Sequence, residues 1–271
     1  MTYKLLNLAC GSKISNVGDW TNIDFYSPYR DVLRMNILEG LKFPDMTFDV
    51  VYSSQFIEHL TIDQAHDVLR EIIRVIKPNG ILRIVTPDME ELARSYLELL
   101  KALRNGDSQE LRNRMDWIRL EIFDQVGRDK PGGGMLEYLE KNYDEKTKAY
   151  IFERLGYTAN DYYSPRSSRG MALNAEFFLK LNRIPRKLFY LIKNFMATES
   201  MRIGYYRSSG DVHRYLHDYF TLTRLLENVG FHSVKVEGPK TSSISDWSMY
   251  QLDEINGQIN CPKSLYIEAK R

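Results

Sequence analysis

The 271-residue chain has only two cysteines, Cys10 and Cys261, too few for a disulfide framework. No apolar run approaches the ~20 residues that a helix needs to cross a bilayer. Lys4 leads straight into a strand-length apolar run with no cleavage pattern, so no secretory leader is read here. These absences predict a cytoplasmic protein. The net charge of +1 gives no whole-chain basic field, which disfavours a general nucleic-acid binder. Repeats and low-complexity tracts are also missing. No His, Cys, Asp and Glu set has structural-metal spacing, so no metal is expected. Asp31, Asp45, Asp88 and Glu91 could gather magnesium, but turn and capping roles explain each more simply. There is no G-x-G-x-x-G either. The first turn holds one glycine, Gly11, where a dinucleotide pyrophosphate would need several.

What is present is an ordinary globular balance, 43% hydrophobic and 27% charged residues. Leu5–Cys10 is an apolar run broken by Gly11-Ser12, the pattern of a buried parallel strand ending in a tight turn. Residues 20–25 form a second strand with Asp24 near its carboxyl end, and 31–37 a short third. Residues 48–53 (FDVVYS) are a strong fourth strand. Residues 62–76 have helical spacing, with Ala65, Val68, Leu69, Ile72, Ile73 and Ile76 on one face and Thr61 as N-cap. Lys77-Pro78-Asn79-Gly80 is read as the turn into a fifth strand, 81–85. Helices are expected over 92–103, 111–123 and 138–155, and a polar aromatic loop over 162–170. The alternation resumes with a helix at 221–229, a strand at 231–237, a long polar loop at 239–262 and a last strand at 265–269. The connection from Gly11 to Asp19 is short for a parallel crossover, which generally takes a dozen residues or more.

This order resembles the class I S-adenosylmethionine-dependent methyltransferases. LNLACGS (6–12), NIDF (22–25), FPDMTFDVVYSSQFIEHL (43–60) and RVIKPNGILRIVTPD (74–88) carry the resemblance. HRYLHDYFTLTRLLENVGF (213–231) and SLYIEAKR (264–271) resemble the closing elements of the same domain. The chain also resembles the predicted methyltransferases found among bacterial cell-surface and O-antigen polysaccharide genes. The resemblance implies an α/β fold: a Rossmann-like, doubly wound, mainly parallel seven-stranded sheet with a helical insert between strands 5 and 6. Residues 1–90 and 213–271 would bind S-adenosylmethionine, and 91–212 would form the lid and acceptor lobe. Ala9, Cys10 and Gly11 would lie under the methionine tail, Asp24 on the ribose and Phe25 beside the adenine. Asn36 and Ile37 would flank the adenine, and Ser53, Ser54 and Gln55 would face the sulfonium. The product would be S-adenosylhomocysteine.

Two histidines are base candidates. His59, in Glu58-His59-Leu60 after strand 4, could take the proton of an acceptor hydroxyl; the plainer reading is a histidine packed beside the cofactor. His213 lies where the insert returns to the domain, a place for acceptor contact or base work. His217-Asp218 reads instead as aromatic packing beside a solvated carboxylate. Cys10 reads as a small buried cysteine, not a nucleophile. From Lys180 to Arg207 the only acid is Glu199, against seven Lys and Arg. That stretch is either a solvated basic face or a surface for phosphate, such as a nucleotide sugar, a lipid-linked glycan or the inner membrane face. An Asn/Asp-Pro-Pro-Tyr/Phe motif after strand 4 is missing, which disfavours a base amino group as acceptor. The expected acceptor is a saccharide hydroxyl; a small secondary metabolite is the other enzymatic reading, and a non-catalytic cofactor-binding module the third. No sequence feature fixes an oligomeric state.

Overall fold

The computed structural model describes residues 3–141, 143–159 and 198–271. Seven strands make one sheet in the order β3-β2-β1-β4-β5-β9-β6. They are β1 (Lys4–Leu8), β2 (Asp19–Asp24), β3 (Val32–Arg34), β4 (Phe48–Ser54), β5 (Ile76–Pro87), β6 (His232–Glu237) and β9 (Ser264–Lys270). β1 to β5 pair in parallel, and β9 runs antiparallel between β5 and β6. The seven-stranded, mainly parallel sheet expected from the sequence is therefore present.

The sheet alternates its side chains between two faces. Leu6, Leu8, Ile23, Val51, Leu82, Ile84 and Ile267 point to one face. There they meet helix α1 (Ile62–Val75) through Ala65, Val68, Leu69 and Ile72, and the later helix over Tyr219–Val229 through Leu222, Leu225 and Leu226. Thr61 caps α1 in a reciprocal box with Gln64, as its sequence predicts.

The opposite face has a different cover. Leu5, Val50, Tyr52, Val85 and Tyr266 point into Ile244, Trp247, Tyr250 and Leu252. The segment 239–262, read from sequence as a polar loop, thus carries a buried aromatic layer. It contains a 3-10 turn at Trp247–Tyr250 and a small hairpin, β7 (Glu254–Ile255) with β8 (Gln258–Ile259). At the centre lies Arg83 of β5, fully buried. Its Nε donates to Asp253 Oδ2 at 2.8 Å and its Nη1 to Glu268 Oε1 at 2.7 Å. The remaining donors reach the carbonyls of Thr241 (3.1 Å) and Gly238 (2.8 Å). Asp253 also accepts from the Tyr52 hydroxyl at 2.7 Å and Trp247 Nε1 at 2.8 Å. Burial opposes the guanidinium charge, but the two carboxylates outweigh it and hold the Arg83 pKa above its ordinary value.

Three boundaries differ from the sequence reading. Lys77–Gly80 does not separate helix from strand. α1 ends at Val75 and β5 begins at once, with Asn79 at φ +63° and Asn79 and Gly80 bonded to Arg271. Asn tolerates the left-handed region, so the turn residues sit in an irregular stretch of strand. The third strand is only Val32–Arg34, because Asn36 caps a 3-10 turn through its side chain. The single helix expected over 138–155 is two, α5 (Gly133–Leu139) and α6 (Glu145–Leu155), with Asp144 capping the second.

Helix α2 (Met89–Asn105) follows β5 and packs on α3 (Gln109–Arg119), which continues through a π-turn at Leu120–Asp124 into α4 (Gln125–Gly127). These helices bury Trp117, Ile118, Tyr138 and Ile151 among themselves. Arg154 of α6 grips Glu121 with two hydrogen bonds of 2.8 Å. Gly156 then brings this layer against the 239–262 segment: at φ +60°, a Cβ there would stand 2.2 Å from the Ile259 carbonyl oxygen. Helix α7 (Glu199–Arg207) and helix α8 (Tyr219–Val229) are the remaining α-helices among the described residues. No helix among the described residues is long and apolar enough to cross a membrane.

Replacing Arg83 by Met would leave Asp253 and Glu268 buried without their cation. Removing one partner of a buried ion pair costs roughly 3–5 kcal/mol. Urea unfolding of R83M should show a loss of that size, and a loss within ~1 kcal/mol would mean that the two carboxylates are relieved by water or protonation.

Candidate functional site

The parallel strands β1, β2 and β4 end together, and the candidate residues gather at those carboxyl ends, where open α/β sheets bind ligands. Beyond β1 the backbone turns sharply. Ala9 has φ +55° and Gly11 φ +54°. A Cβ built on Gly11 would meet nothing within 4 Å, so the main chain here borders open space. Across from it, Asp24 ends β2. Its Oδ2 accepts the Gly11 N–H at 2.8 Å and its Oδ1 the Tyr26 N–H at 3.0 Å. The carboxylate is half-buried and fixed in orientation by these two bonds.

Cys10 is tucked behind the turn, its N–H bonded to the Ile23 carbonyl at 3.0 Å. Burial, with Asp24 nearby, raises its thiol pKa to about 12, the behaviour of a packed, inert cysteine. Phe25 is 66% exposed beside Asp24, available to a planar ligand. Asn36 is half-buried, and its side chain is engaged as the cap of the Ile37–Glu39 turn. Ile37 is buried in the helix-side core. Of the strand 3 pair, then, neither side chain is directed to a ligand by these contacts.

At the end of β4, Ser53 is buried and its Oγ has no partner among the described residues. Ser54 Oγ accepts from Lys13 Nζ at 3.3 Å. Gln55 takes φ +54°, a conformation that a non-glycine residue adopts only when its surroundings impose it. Its N–H is held by the Val85 carbonyl at 2.8 Å and its side-chain amide donates to Ser264 at 3.2 Å. Ala9 and Gln55 thus place left-handed backbone at the ends of adjacent strands.

A second cluster lies one turn further on. Phe56 leads into a 3-10 turn, Ile57–His59. Glu58 is fully buried; its Oε2 accepts from Thr86 Oγ1 at 3.1 Å, and its Oε1 has no partner among the described residues. Burial lifts the Glu58 pKa to about 7. Its carbonyl receives the N–H groups of Arg214 (2.7 Å) and Tyr215 (3.2 Å), which draws the returning chain onto β4. His213 is brought beside His59, rings 4.7 Å apart and edge to face. Burial lowers the His59 pKa and drives that of His213 down to about 2, so both rings are neutral at neutral pH. His217 is buried against Tyr215, with its pKa lowered to about 4 by burial, and Asp218 caps α8.

The structure thus brings both base candidates together and adds two residues that the sequence reading did not assign. Glu58 was visible as the neighbour of His59, but only burial distinguishes it from a solvated helix-start acid. Lys13 lies two residues past Gly11, and its reach to Ser54 and toward Cys261 (3.8 Å) depends on tertiary packing. Of the basic stretch 180–207, residues up to 197 lie outside the described residues, as does the 162–170 loop. Arg207 is engaged with Asp129 at 2.7 Å.

Residues 21–84 match the family model described as a methyltransferase domain. That span runs from β2 into β5 and contains Asp24, the end of β4, Glu58 and His59. A comparison with curated proteins finds no match. Among solved structures, the chain is similar to a SAM-dependent methyltransferase from Archaeoglobus fulgidus, at 13% identity and TM-score 0.41, covering 100% of this chain and 86% of that one. It is similar to another from Mesorhizobium loti at 12% identity and TM-score 0.38, covering 100% and 91%. A third likeness is to a possible histamine N-methyltransferase from Thermotoga maritima, at 12% identity and TM-score 0.40, covering 100% and 83%.

If burial rather than sequence position sets the state of Cys10, iodoacetamide at pH 8 should leave it unmodified in the folded protein. Intact-mass analysis and peptide mapping would check this; rapid labelling of Cys10 would show that the turn opens.

Proposed function

We propose that this chain, whose residues 21–84 match a methyltransferase domain, is an S-adenosylmethionine-dependent methyltransferase and transfers methyl to an acceptor oxygen. The acceptor class we assign is a saccharide hydroxyl of a cell-surface glycan. When bound, S-adenosylmethionine supplies a methyl carbon on a sulfonium, and its departing half is the neutral thioether S-adenosylhomocysteine. The observation that carries the reading is Asp24, a carboxylate fixed by the Gly11 N–H beside unobstructed main chain. Such a group accepts both hydroxyls of a ribose.

The other residues fit the donor. The bare turn at Ala9–Gly11 lets backbone approach an amino-acid tail closely. Lys13, at the same turn, is the cation placed to pair with its carboxylate. Phe25 offers an exposed ring to the adenine. Ser53 and Ser54 lie at the end of β4 toward the sulfonium, and the orphaned Ser53 Oγ supplies an unused polar group there.

The chemistry needs alignment and a place for one proton. As the oxygen–carbon bond forms, the sulfur–carbon bond breaks and its electron pair stays on sulfur; the hydroxyl proton must go to a base. The Glu58 carboxyl, with a pKa near the working pH, is better matched to that task than His213, whose ring barely accepts a proton. Thr86 orients the Glu58 carboxyl, and His59 packs edge to face on His213. A polar proton-accepting cluster suits an alcohol, which is far less acidic than a phenol, and this supports the saccharide over an aromatic metabolite. Helices α2 to α7, inserted between β5 and α8, form the proposed acceptor lobe; holding donor and acceptor in line away from water would supply much of the rate.

Asp24→Ala should weaken S-adenosylmethionine binding at least tenfold in calorimetry while leaving the circular dichroism spectrum unchanged. Affinity equal to the unsubstituted chain would remove the ribose contact. Assay against nucleotide sugars, reducing-end glycans and phenols tests the acceptor: turnover confined to phenols would overturn the saccharide assignment.

A further inference from the structure

Glu58, His59 and His213 hold more than a proton path. We propose that they form a binding site for a divalent transition-metal ion at the carboxyl end of β4. Each offers one ligand atom, and these atoms lie within 4.8 Å of one another. Ligands about 2.1 Å from a common ion stand roughly 3–4 Å apart. Side-chain shifts below about 1 Å would therefore close the set. Two imidazoles and one carboxylate are the donors that suit zinc, iron, cobalt or manganese rather than calcium or magnesium.

The second observation is the state of the donor atoms. Glu58 Oε1, His59 Nδ1 and His213 Nδ1 are all buried and have no hydrogen-bond partner among the described residues. Glu58 is fully buried and His213 is 9% exposed. Buried polar atoms are nearly always satisfied, so one orphan on each of the three clustered residues marks a missing occupant. Free imidazole rings and a carboxylate could have satisfied one another, yet no hydrogen bond links them. The two rings meet edge to face instead.

The backbone holds the set in place before any ion arrives. Glu58 and His59 share the 3-10 turn after β4. His213 is fixed by its N–H to the Gln125 carbonyl at 3.0 Å, and the next two N–H groups clamp the Glu58 carbonyl. Thr86 orients the other Glu58 oxygen. Of the cations near the cluster, Arg128 is held by Asp124 at 3.1 Å and Lys13 is turned toward Ser54. Asp211 adds a negative charge beside His59.

Three protein ligands leave coordination positions open for water or an acceptor oxygen. A hydroxyl bound there would be more acidic and held in line with the methyl carbon. That role rests on the acceptor reading above, whereas ion binding does not. Because His213 belongs to the returning chain and Glu58 to the turn that follows β4, the ion would also tie the insert to the sheet.

The test uses the full chain, stripped with a chelator and titrated with Zn²⁺ and Co²⁺. One ion per chain is expected, with a visible cobalt absorption band and no competition from excess Mg²⁺. Glu58→Gln and His213→Ala should each weaken binding at least tenfold. Circular dichroism and thermal unfolding check that the variants are folded. Crystals of the unsubstituted protein soaked in zinc provide a route independent of any variant, with an anomalous peak expected between the three side chains. No binding by the unsubstituted chain, or binding untouched by folded variants, would overturn the site. Ion binding without methyl transfer to any saccharide would uphold the site and remove the acceptor reading; transfer by metal-free protein at full rate would remove the ion's role in the reaction.

Discussion

A buried guanidinium sets the terms of this fold. Ten residues, 9–18, join β1 to β2 and contain no helix, and the connection from β2 to β3 is shorter still. Parallel strands joined so tightly leave one sheet face without the usual crossover helices. Something else must cover Leu5, Val50, Tyr52, Val85 and Tyr266. The 239–262 segment does so, and Arg83 fastens it. One side chain binds Asp253, Glu268 and two loop carbonyls, while Asp253 in turn holds Tyr52 and Trp247. Asp253 and Glu268 are both buried, so the ionic part of the network is stable only when complete.

The front of the molecule follows from that closure. With α1 and α8 on one face and the aromatic segment on the other, the sheet presents its carboxyl edge as the border that holds the candidate site. β1, β2 and β4 end there in register, which places Gly11 against Asp24 and brings Ser53, Ser54 and Gln55 alongside. The left-handed Ala9 and Gln55 are strained at cost to the fold, and such strain gathers at ligand sites. The returning chain then lays His213 beside Glu58 and His59, just past the end of β4.

Much of the candidate site was legible in the sequence. The apolar run that stops at Gly11, and the acid ending the next strand, are local patterns with local causes. Glu58-His59 was visible as a pair. Its meaning was not, because whether a glutamate near a strand end is solvated or sealed depends on what packs over it. Lys13 was equally silent, since its reach to Ser54 crosses 41 positions. The 239–262 segment misled for a related reason. Its polar residues dominate the composition, and nothing local says that Trp247 and Tyr250 fold inward beneath a sheet made from distant chain.

The sequence alone determined the strand–helix alternation, the cap of α1, the glycine turn and the carboxylate beside it. Each depends on neighbours within a few residues, through backbone sterics, hydrophobic period and capping hydrogen bonds. Only the tertiary structure decided which face the aromatic segment covers, that Arg83 is sealed between two acids, and that Glu58, His59 and His213 converge. Those outcomes are set by contacts 150 or more positions apart, where burial, not residue type, fixes the charge and partners of a side chain.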